Sequence, residues 1–167
     1  MSDINFILTG GTIEKSYDPL TEKPELRYSS ILPKYLETIV KLYPEIQFQT
    51  VSQIDSSQMT DKIRMQIKEA IESSEHKRVV IIHGTSTMPE TARFLKEHLK
   101  DNDKTVVLTG AMIPLKEFAM SDAGFNLGYA LAKAQEVDSG VYIAMNAKLF
   151  DADNVKKNTQ IGRFEEI

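Results

Sequence analysis

Residues 4–12 read INFILTGGT, and this stretch sets the architecture that the rest of the sequence supports. Residues 4–8 are a short apolar run that leads to a pair of glycines, Gly10 and Gly11. An apolar run bounded by glycine is typical of a buried strand that stops at a sharp turn. Thr12 follows the glycines, so the sequence predicts a hydroxyl group at the carboxyl end of the first strand.

Strand and helix patterns alternate along the chain. The expected strands are residues 4–8, 46–51, 79–82, 105–108 and 140–145. The expected helices are residues 31–42, 60–73, 90–99 and 121–135. Several strand segments are apolar at every position, which is typical of parallel strands buried on both faces. The pattern predicts an α/β fold with a doubly wound, mainly parallel sheet in three layers, of the Rossmann-like or flavodoxin-like kind.

Three segments lack a clear pattern and are expected to be irregular, namely residues 13–28, 114–120 and 151–167. The first is much longer than the usual connection of about 2–6 residues between a strand and a helix. Because long loops at this position are usually functional, we expect it to act as a mobile lid. No repeat or linker is visible, so we expect one domain over residues 1–167.

Composition excludes several classes of function. The chain has 167 residues and a net charge of −4, so it lacks the basic surface that nucleic acids or anionic membranes attract. No apolar run approaches the roughly 20 residues of a membrane span. There are no cysteines, which excludes a thiol nucleophile and fits a reducing compartment. With no secretory signal pattern near the start, a cytoplasmic location is expected.

Two further segments rich in hydroxyl groups follow the second and third expected strands. Residues 55–60 read DSSQMT, and residues 83–88 read HGTSTM. Ligands bind beyond the carboxyl ends of the strands in such sheets, so we expect Thr12, Ser56 and Thr85 to share one crevice. The carboxylate and hydroxyls of residues 55–57 suit the ammonium and carboxylate of an amino acid. Turn formation and helix capping explain the same residues without a function, and that alternative stays open here.

A hydroxyl nucleophile needs a base or electrostatic activation. The chain has only three histidines, and His83 ends an apolar strand, where a structural role is the more common one. A Ser-His-Asp triad is therefore not favoured, and a lysine is the natural alternative. The spacing G-x-G-x-x-G is absent from the first loop, which argues against a dinucleotide-binding domain.

The motifs TGGTI at residues 9–13 and HGTSTM at residues 83–88 closely resemble the two signature loops of bacterial-type L-asparaginases. Further stretches agree with that family in order and spacing, at residues 55–57, 106–114, 121–127, 145–146 and 155–158. The resemblance covers nearly all of this chain, and it corresponds to the larger, N-terminal domain of a standard family member.

The resemblance implies hydrolysis of the side-chain amide of L-asparagine, or of a related small amide, to the acid and ammonia, without a cofactor or metal. It implies four catalytic residues: a threonine nucleophile, a second threonine, a lysine and a lid tyrosine, at Thr12, Thr85, Lys157 and Tyr17. Lys156 is the alternative to the lysine, and Tyr28 is the alternative to the tyrosine.

The resemblance also implies where the substrate is held. Ser56 would bind the α-carboxylate, and Gly11, Ser57 and Ser86 would line the same site. Backbone N–H groups near Gly11 and Thr85 would form the oxyanion hole, which usually contributes most to amide attack.

Two departures from the family pattern affect these expectations. The family reads Thr-Asp where this chain reads Thr85-Ser86, so a carboxylate that pairs with the lysine and the substrate ammonium is replaced by a neutral hydroxyl. The smaller C-terminal domain has no counterpart in the sequence. An alternative function is therefore a catalytically impaired module that binds an amino acid. Because family sites form between subunits, we expect a homodimer or higher homo-oligomer.

Overall fold

The computed structural model describes residues 4–99, 103–116 and 119–167. In chain order the elements are β1 Ile4–Gly10, β2 Lys15–Asp18, β3 Lys23–Leu26, α1 Leu32–Lys34, β4 Ile46–Ile54, α2 Asp61–Ser73, β5 Arg78–Ile82, α3 Met88–His98, β6 Thr105–Thr109, α4 Ala123–Glu136, β7 Gly140–Met145, β8 Lys148–Asp151, β9 Lys156–Asn158 and β10 Arg163–Glu165.

The main sheet has six strands in the order β4-β1-β5-β6-β7-β8. The five expected strands are confirmed, and all of them run parallel, while β8 pairs antiparallel with β7. Numbered along the chain, the parallel strands lie in the order 2-1-3-4-5, which is the flavodoxin-like arrangement. The direction of winding reverses between β1 and β5, so the predicted doubly wound sheet is confirmed.

Both faces of the sheet are buried because alternate side chains of the central strands enter different cores. On β5, Val79 and Ile81 pack with the residues of α2 and α3. Val80 and Ile82 pack on the other face, together with side chains of α1 and α4. A strand with a core on each side must be apolar at every position, and this explains the VVII run in the sequence.

The helices begin and end close to the expected positions. Thr60 caps α2, since its hydroxyl accepts a hydrogen bond from the Ile63 N–H at 3.3 Å. Pro89 lies in the first turn of α3, where a missing N–H costs nothing. The segment expected as one helix over 31–42 is α1 followed by a π-helical turn, Tyr35–Val40. It ends at Lys41, which has a left-handed φ of 57°.

Two expectations of irregular structure are wrong. Residues 13–28 contain an antiparallel hairpin of β2 and β3, and residues 151–167 contain a second hairpin of β9 and β10. These strands are only three or four residues long and largely polar, so no apolar alternation marks them in the sequence. Residues 117 and 118, within the expected loop at residues 114–120, lie outside the described residues.

No helix in the described ranges is both long enough and apolar enough to cross a membrane.

Candidate functional site

The site begins at the point where β1 and β5 end side by side. Gly11 follows β1 with a positive φ of 86°, a backbone conformation that residues other than glycine rarely adopt. A Cβ atom at Gly11 would lie 2.5 Å from the backbone nitrogen of Gly84, which follows β5. The two loops therefore touch backbone to backbone, and only glycine fits at Gly11.

The loop after β4 completes this contact. A Cβ at Gly84 would lie 2.5 Å from the Cβ of Ser56. The Ser86 N–H donates to the Ser56 hydroxyl at 3.2 Å, and the Thr87 hydroxyl donates to the Ser56 carbonyl at 2.8 Å. Three loops that are far apart in sequence thus meet at one edge of the sheet, and they are the loops that carry Thr12, Ser56 and Thr85, which the sequence predicted to share one crevice.

Thr12 lies in a short 3₁₀ turn, Thr12–Glu14, directly after Gly11. Its side chain is partly exposed and makes no hydrogen bond to another described residue. The Gly11 N–H donates to the Ile54 carbonyl at 2.9 Å. Gly11 therefore cannot supply the oxyanion-hole donor expected near it, and a donor from this loop has to be another N–H group.

Lys157 reaches the site from the hairpin of β9 and β10. Its Nζ donates to the Thr85 hydroxyl at 2.8 Å. Burial lowers the pKa of Lys157, while the nearby Asp55 carboxylate acts in the opposite direction. Lys156 instead forms an ion pair with Glu165 at 3.4 Å. The geometry therefore joins Lys157, and not the alternative Lys156, to Thr85.

Asp55 and Lys15 form an ion pair of 2.8 Å at the entrance to these loops. The other Asp55 oxygen accepts hydrogen bonds from the Ser57 N–H at 3.1 Å and the Ser57 hydroxyl at 3.0 Å. These contacts hold the pKa of Asp55 near 2, with the Lys15 hydrogen bond as the largest cause. Sequence reasoning missed Lys15, because it lies in the segment expected to be an irregular loop.

Ser86 is exposed and lies at the wall of a pocket of about 460 Å³. Lys157 lines the same pocket, together with Pro89, Glu90, Arg93, Val155, Lys156, Thr159 and Ile167. Among the ion pairs of the described residues, none joins Lys157 to a carboxylate. The lysine next to Thr85 therefore lines a cavity of mixed polar and apolar character.

The two tyrosines considered for the lid occupy different positions. Tyr17 lies on β2 and is 46% exposed, and its carbonyl accepts a hydrogen bond from Arg27 at 3.2 Å. Tyr28 follows the hairpin and is fully exposed. Tyr17 is thus part of the element that directly follows Thr12, and its role stays a prediction.

His83 is completely buried at the end of β5. Its Nδ1 lies 2.7 Å from the Gly84 carbonyl, and since a carbonyl only accepts, Nδ1 carries the proton. Nε2 is buried without a partner in the described part of the chain. Burial lowers the pKa of His83 to about 4. A neutral ring that holds its own loop favours the structural role over a catalytic base.

The fold and this site together define a doubly wound α/β protein whose switch-point crevice is lined by hydroxyls and one partly buried lysine, Lys157. Such a crevice suits nucleophilic attack by a hydroxyl on an acyl group. Within the described ranges, no group of three or more His, Asp or Glu side chains is placed to hold a metal ion.

Comparison with known proteins identifies the family. The model of the asparaginase N-terminal domain matches residues 3–164, and the chain therefore belongs to the asparaginase family.

Individual relatives agree with this assignment. L-asparaginase 2 of Escherichia coli is 31% identical over 180 residues, covering all of this chain and 50% of that protein. A probable periplasmic L-asparaginase of Haemophilus influenzae is 32% identical over 176 residues, covering 95% of this chain and 47% of the relative. The chain thus spans about half the length of the curated relatives it matches.

Solved structures show the same relationship. The thermostable L-asparaginase of Thermococcus kodakarensis superposes with a TM-score of 0.87 and 26% identity, over 99% of this chain and 51% of that one. A probable cytoplasmic L-asparaginase of Campylobacter jejuni gives a TM-score of 0.81 and 32% identity, over 99% and 52% of the two chains.

Proposed function

We propose that this chain hydrolyses the side-chain amide of L-asparagine, or of a related small amide, with Thr12 as the nucleophile. The observation that carries the proposal is the 2.8 Å hydrogen bond from Lys157 to Thr85, in the loop packed against the Gly11 turn. A partly buried lysine bonded to a threonine hydroxyl is a means of moving protons beside a nucleophile.

The reaction has two steps. The Thr12 hydroxyl oxygen attacks the amide carbon, the C–N bond breaks, and the hydroxyl proton leaves with the nitrogen as ammonia. Water then cleaves the resulting ester, which releases the acid and restores the Thr12 hydroxyl. In this proposal Thr85 and Lys157 relay protons, and a depressed lysine pKa supports that role because it increases the neutral, proton-accepting fraction. Tyr17 assists from the hairpin.

Residues of the same loops hold the substrate. Ser56 binds the α-carboxylate, and Ser57 and Ser86 lie beside it with the backbone at Gly11. Support comes from the contacts that fix this group, since Ser56 is buried and bonded to Ser86. A hydroxyl that is already held in place lowers the entropy cost of ordering side chains when the substrate binds.

A second function is favoured by one specific feature, the neutral Ser86 at the wall of the pocket that holds Lys157. Without a carboxylate paired to Lys157, the chain would act as a catalytically impaired module that binds an amino acid. Restoring the charge with Ser86→Asp tests this alternative. A charge-assisted hydrogen bond contributes about 1.5–3 kcal/mol, or roughly a tenfold to hundredfold change in rate.

The experiment measures ammonia release from L-asparagine and L-glutamine by the parent chain and by Ser86→Asp. If the chain is a hydrolase, the parent releases ammonia and Ser86→Asp releases it faster. If both proteins are folded and inert, the amidohydrolase proposal fails. Calorimetric binding of L-aspartate to the inert protein would then favour the binding module.

Assembly, domain extent and compartment are part of the same proposal. We propose one domain over residues 1–167, a homodimer or higher homo-oligomer, a cytoplasmic location and a small-molecule substrate as the partner. Light scattering tests the oligomer, and a strict monomer at working concentration would contradict it. The relatives include one named as periplasmic and one as cytoplasmic, so cell fractionation is the test of the compartment.

A further inference from the structure

The ion pair of Lys15 and Asp55 connects the β2–β3 hairpin with the loop that follows β4. Asp55 directly precedes Ser56 and accepts two hydrogen bonds from Ser57, so its carboxylate has a fixed orientation. Lys15 is the first residue of β2 and follows the Thr12 turn, whose Thr12 carbonyl accepts from the Lys15 N–H. The 2.8 Å contact between them therefore ties the hairpin to the loop with Ser56.

The charges around the crevice make Asp55 unusual. Three lysines lie around the crevice, Lys15, Lys156 and Lys157, and the Glu165 carboxylate is already paired with Lys156. Ser86 is neutral. Glu90 is the acidic side chain in the lining of the pocket, and it is exposed on α3 and bonded to none of the loops after β1, β4 and β5 in the described ranges. Glu14, in the Thr12 turn, is buried, and its carboxylate accepts hydrogen bonds from the Ser30 hydroxyl at 2.6 Å and the Ile31 N–H at 3.1 Å. Asp55 is thus the partly exposed carboxylate of the loops that follow β1, β4 and β5.

An amino-acid amide carries an ammonium group, and burying that group requires a carboxylate partner. We propose that Asp55 receives the substrate ammonium, and that Lys15 occupies the same carboxylate while the site is empty. This inference rests on the proposed function in one respect, namely that the ligand is an amino acid. It makes Asp55 a specificity-determining residue, and it makes Lys15 a competitor of the ligand for the Asp55 carboxylate.

The geometry supports an exchange of one ammonium for another. The Lys15 side chain is 22% exposed and that of Asp55 is 38% exposed, so a ligand approaches from solvent without opening the core. The two Ser57 bonds lie on Oδ1, while Lys15 lies on Oδ2. The carboxylate therefore stays oriented when Lys15 leaves. Its departure also frees the first residue of the hairpin, so ligand binding is coupled to the hairpin.

The test uses calorimetry with L-aspartate and succinate, which share two carboxylates and differ in the ammonium group. The proteins are the parent, Asp55→Asn, Lys15→Met, Glu90→Gln and Asp151→Asn. Asp151 is the matched control, because it also forms an aspartate–lysine pair, with Lys96 at 2.7 Å, on an exposed surface. Thermal unfolding checks that each variant is folded, with Lys15→Gln as the replacement if Lys15→Met is not.

The parent should bind L-aspartate more tightly than succinate. Asp55→Asn should weaken the binding of L-aspartate on the order of tenfold and leave the binding of succinate nearly unchanged, because only the ammonium contact is lost. Lys15→Met should have the opposite effect and tighten the binding of L-aspartate by up to about fivefold, since a competitor for Asp55 is removed. Glu90→Gln and Asp151→Asn should change neither ligand.

Three outcomes would overturn the inference: equal weakening of both ligands by Asp55→Asn, shifts of the same sign in Asp55→Asn and Lys15→Met, or loss of the preference in Glu90→Gln. Absence of binding by the parent would overturn it as well. Ammonia release is measured separately. A chain that discriminates the two ligands through Asp55 but releases no ammonia contradicts the amidohydrolase proposal and leaves this inference standing.

Discussion

Two neighbouring regions of the site are built in opposite ways. In the first, the loops after β1, β4 and β5 meet so closely that a Cβ at Gly11 would lie 2.5 Å from backbone. In the second, the β2–β3 hairpin, Tyr17 is 46% and Leu20 is 92% exposed. The hairpin is held by polar contacts, including those of Arg27 with Ser16 at 2.8 Å and with the Tyr17 carbonyl at 3.2 Å.

The difference separates a framework from an adjustable part. The backbone contact and the positive φ at Gly11 allow the loops after β1, β4 and β5 only one arrangement. We call this contact the loop crossing, and it fixes the positions of Thr12 and Thr85. Partly exposed ion pairs and hydrogen bonds contribute little each, typically below about 1 kcal/mol, and they exchange readily with ligands and water. We therefore expect substitutions in the crossing to affect folding, and substitutions in the hairpin to affect its local opening.

The largest effect is expected from Gly11→Ala. The variant would place a side chain at a φ of 86° and force its Cβ into the backbone of Gly84. We expect a loss of more than about 3 kcal/mol in the free energy of unfolding, measured by denaturant titration.

The matched control for Gly11→Ala is Gly128→Ala in α4. Nothing lies within 4 Å of a Cβ at Gly128. Because alanine is the better helix former, this variant should gain up to about 1 kcal/mol. A Gly11→Ala protein as stable as the parent would show that the loops are not packed as described.

The second prediction concerns pH. The pKa of buried His83 is lowered from 6.5 to about 4, so below pH 6.5 the unfolded chain binds a proton that the folded chain does not. Stability should therefore fall as pH falls from 6.5 to 4, by up to about 3 kcal/mol from this residue.

Urea titrations across that pH range test the His83 prediction. His83→Asn keeps a donor for the Gly84 carbonyl but does not titrate, so its stability should decline less steeply than that of the parent. His76→Asn, at a partly exposed histidine, is the control and should follow the parent. Parallel pH curves for parent and His83→Asn would argue against a neutral, buried ring.

The smallest effect is expected from Arg27→Met in the hairpin region. The variant loses the contacts with Ser16, the Tyr17 carbonyl and Asp18. Because Arg27 is exposed, global stability should change by less than about 1 kcal/mol. Amide hydrogen exchange in residues 15–26 should nevertheless become faster, with exchange in β5 unchanged. Unaltered exchange in the hairpin would mean that these polar contacts do not hold it.

The sequence predicted the framework well because apolar runs and glycine have direct structural consequences. All five parallel strands were predicted, and so was the convergence of the loops that carry Thr12, Ser56 and Thr85. The hairpins were missed, since their short polar strands are stabilised by partners distant in sequence, such as Lys15 with Asp55. Likewise, the hydrogen bond of the Gly11 N–H to the Ile54 carbonyl depends on the three-dimensional placement of the two strands, so no sequence pattern predicts it.

The central claim is that the Thr12 hydroxyl is the nucleophile of an amide hydrolase. The most direct test is ammonia release from L-asparagine by the parent, by Thr12→Ala and by Thr38→Ala, an exposed threonine outside the crevice. We expect release by the parent and by Thr38→Ala, and no detectable release by Thr12→Ala at unchanged thermal stability. A folded Thr12→Ala variant that releases ammonia at the rate of the parent would contradict the account.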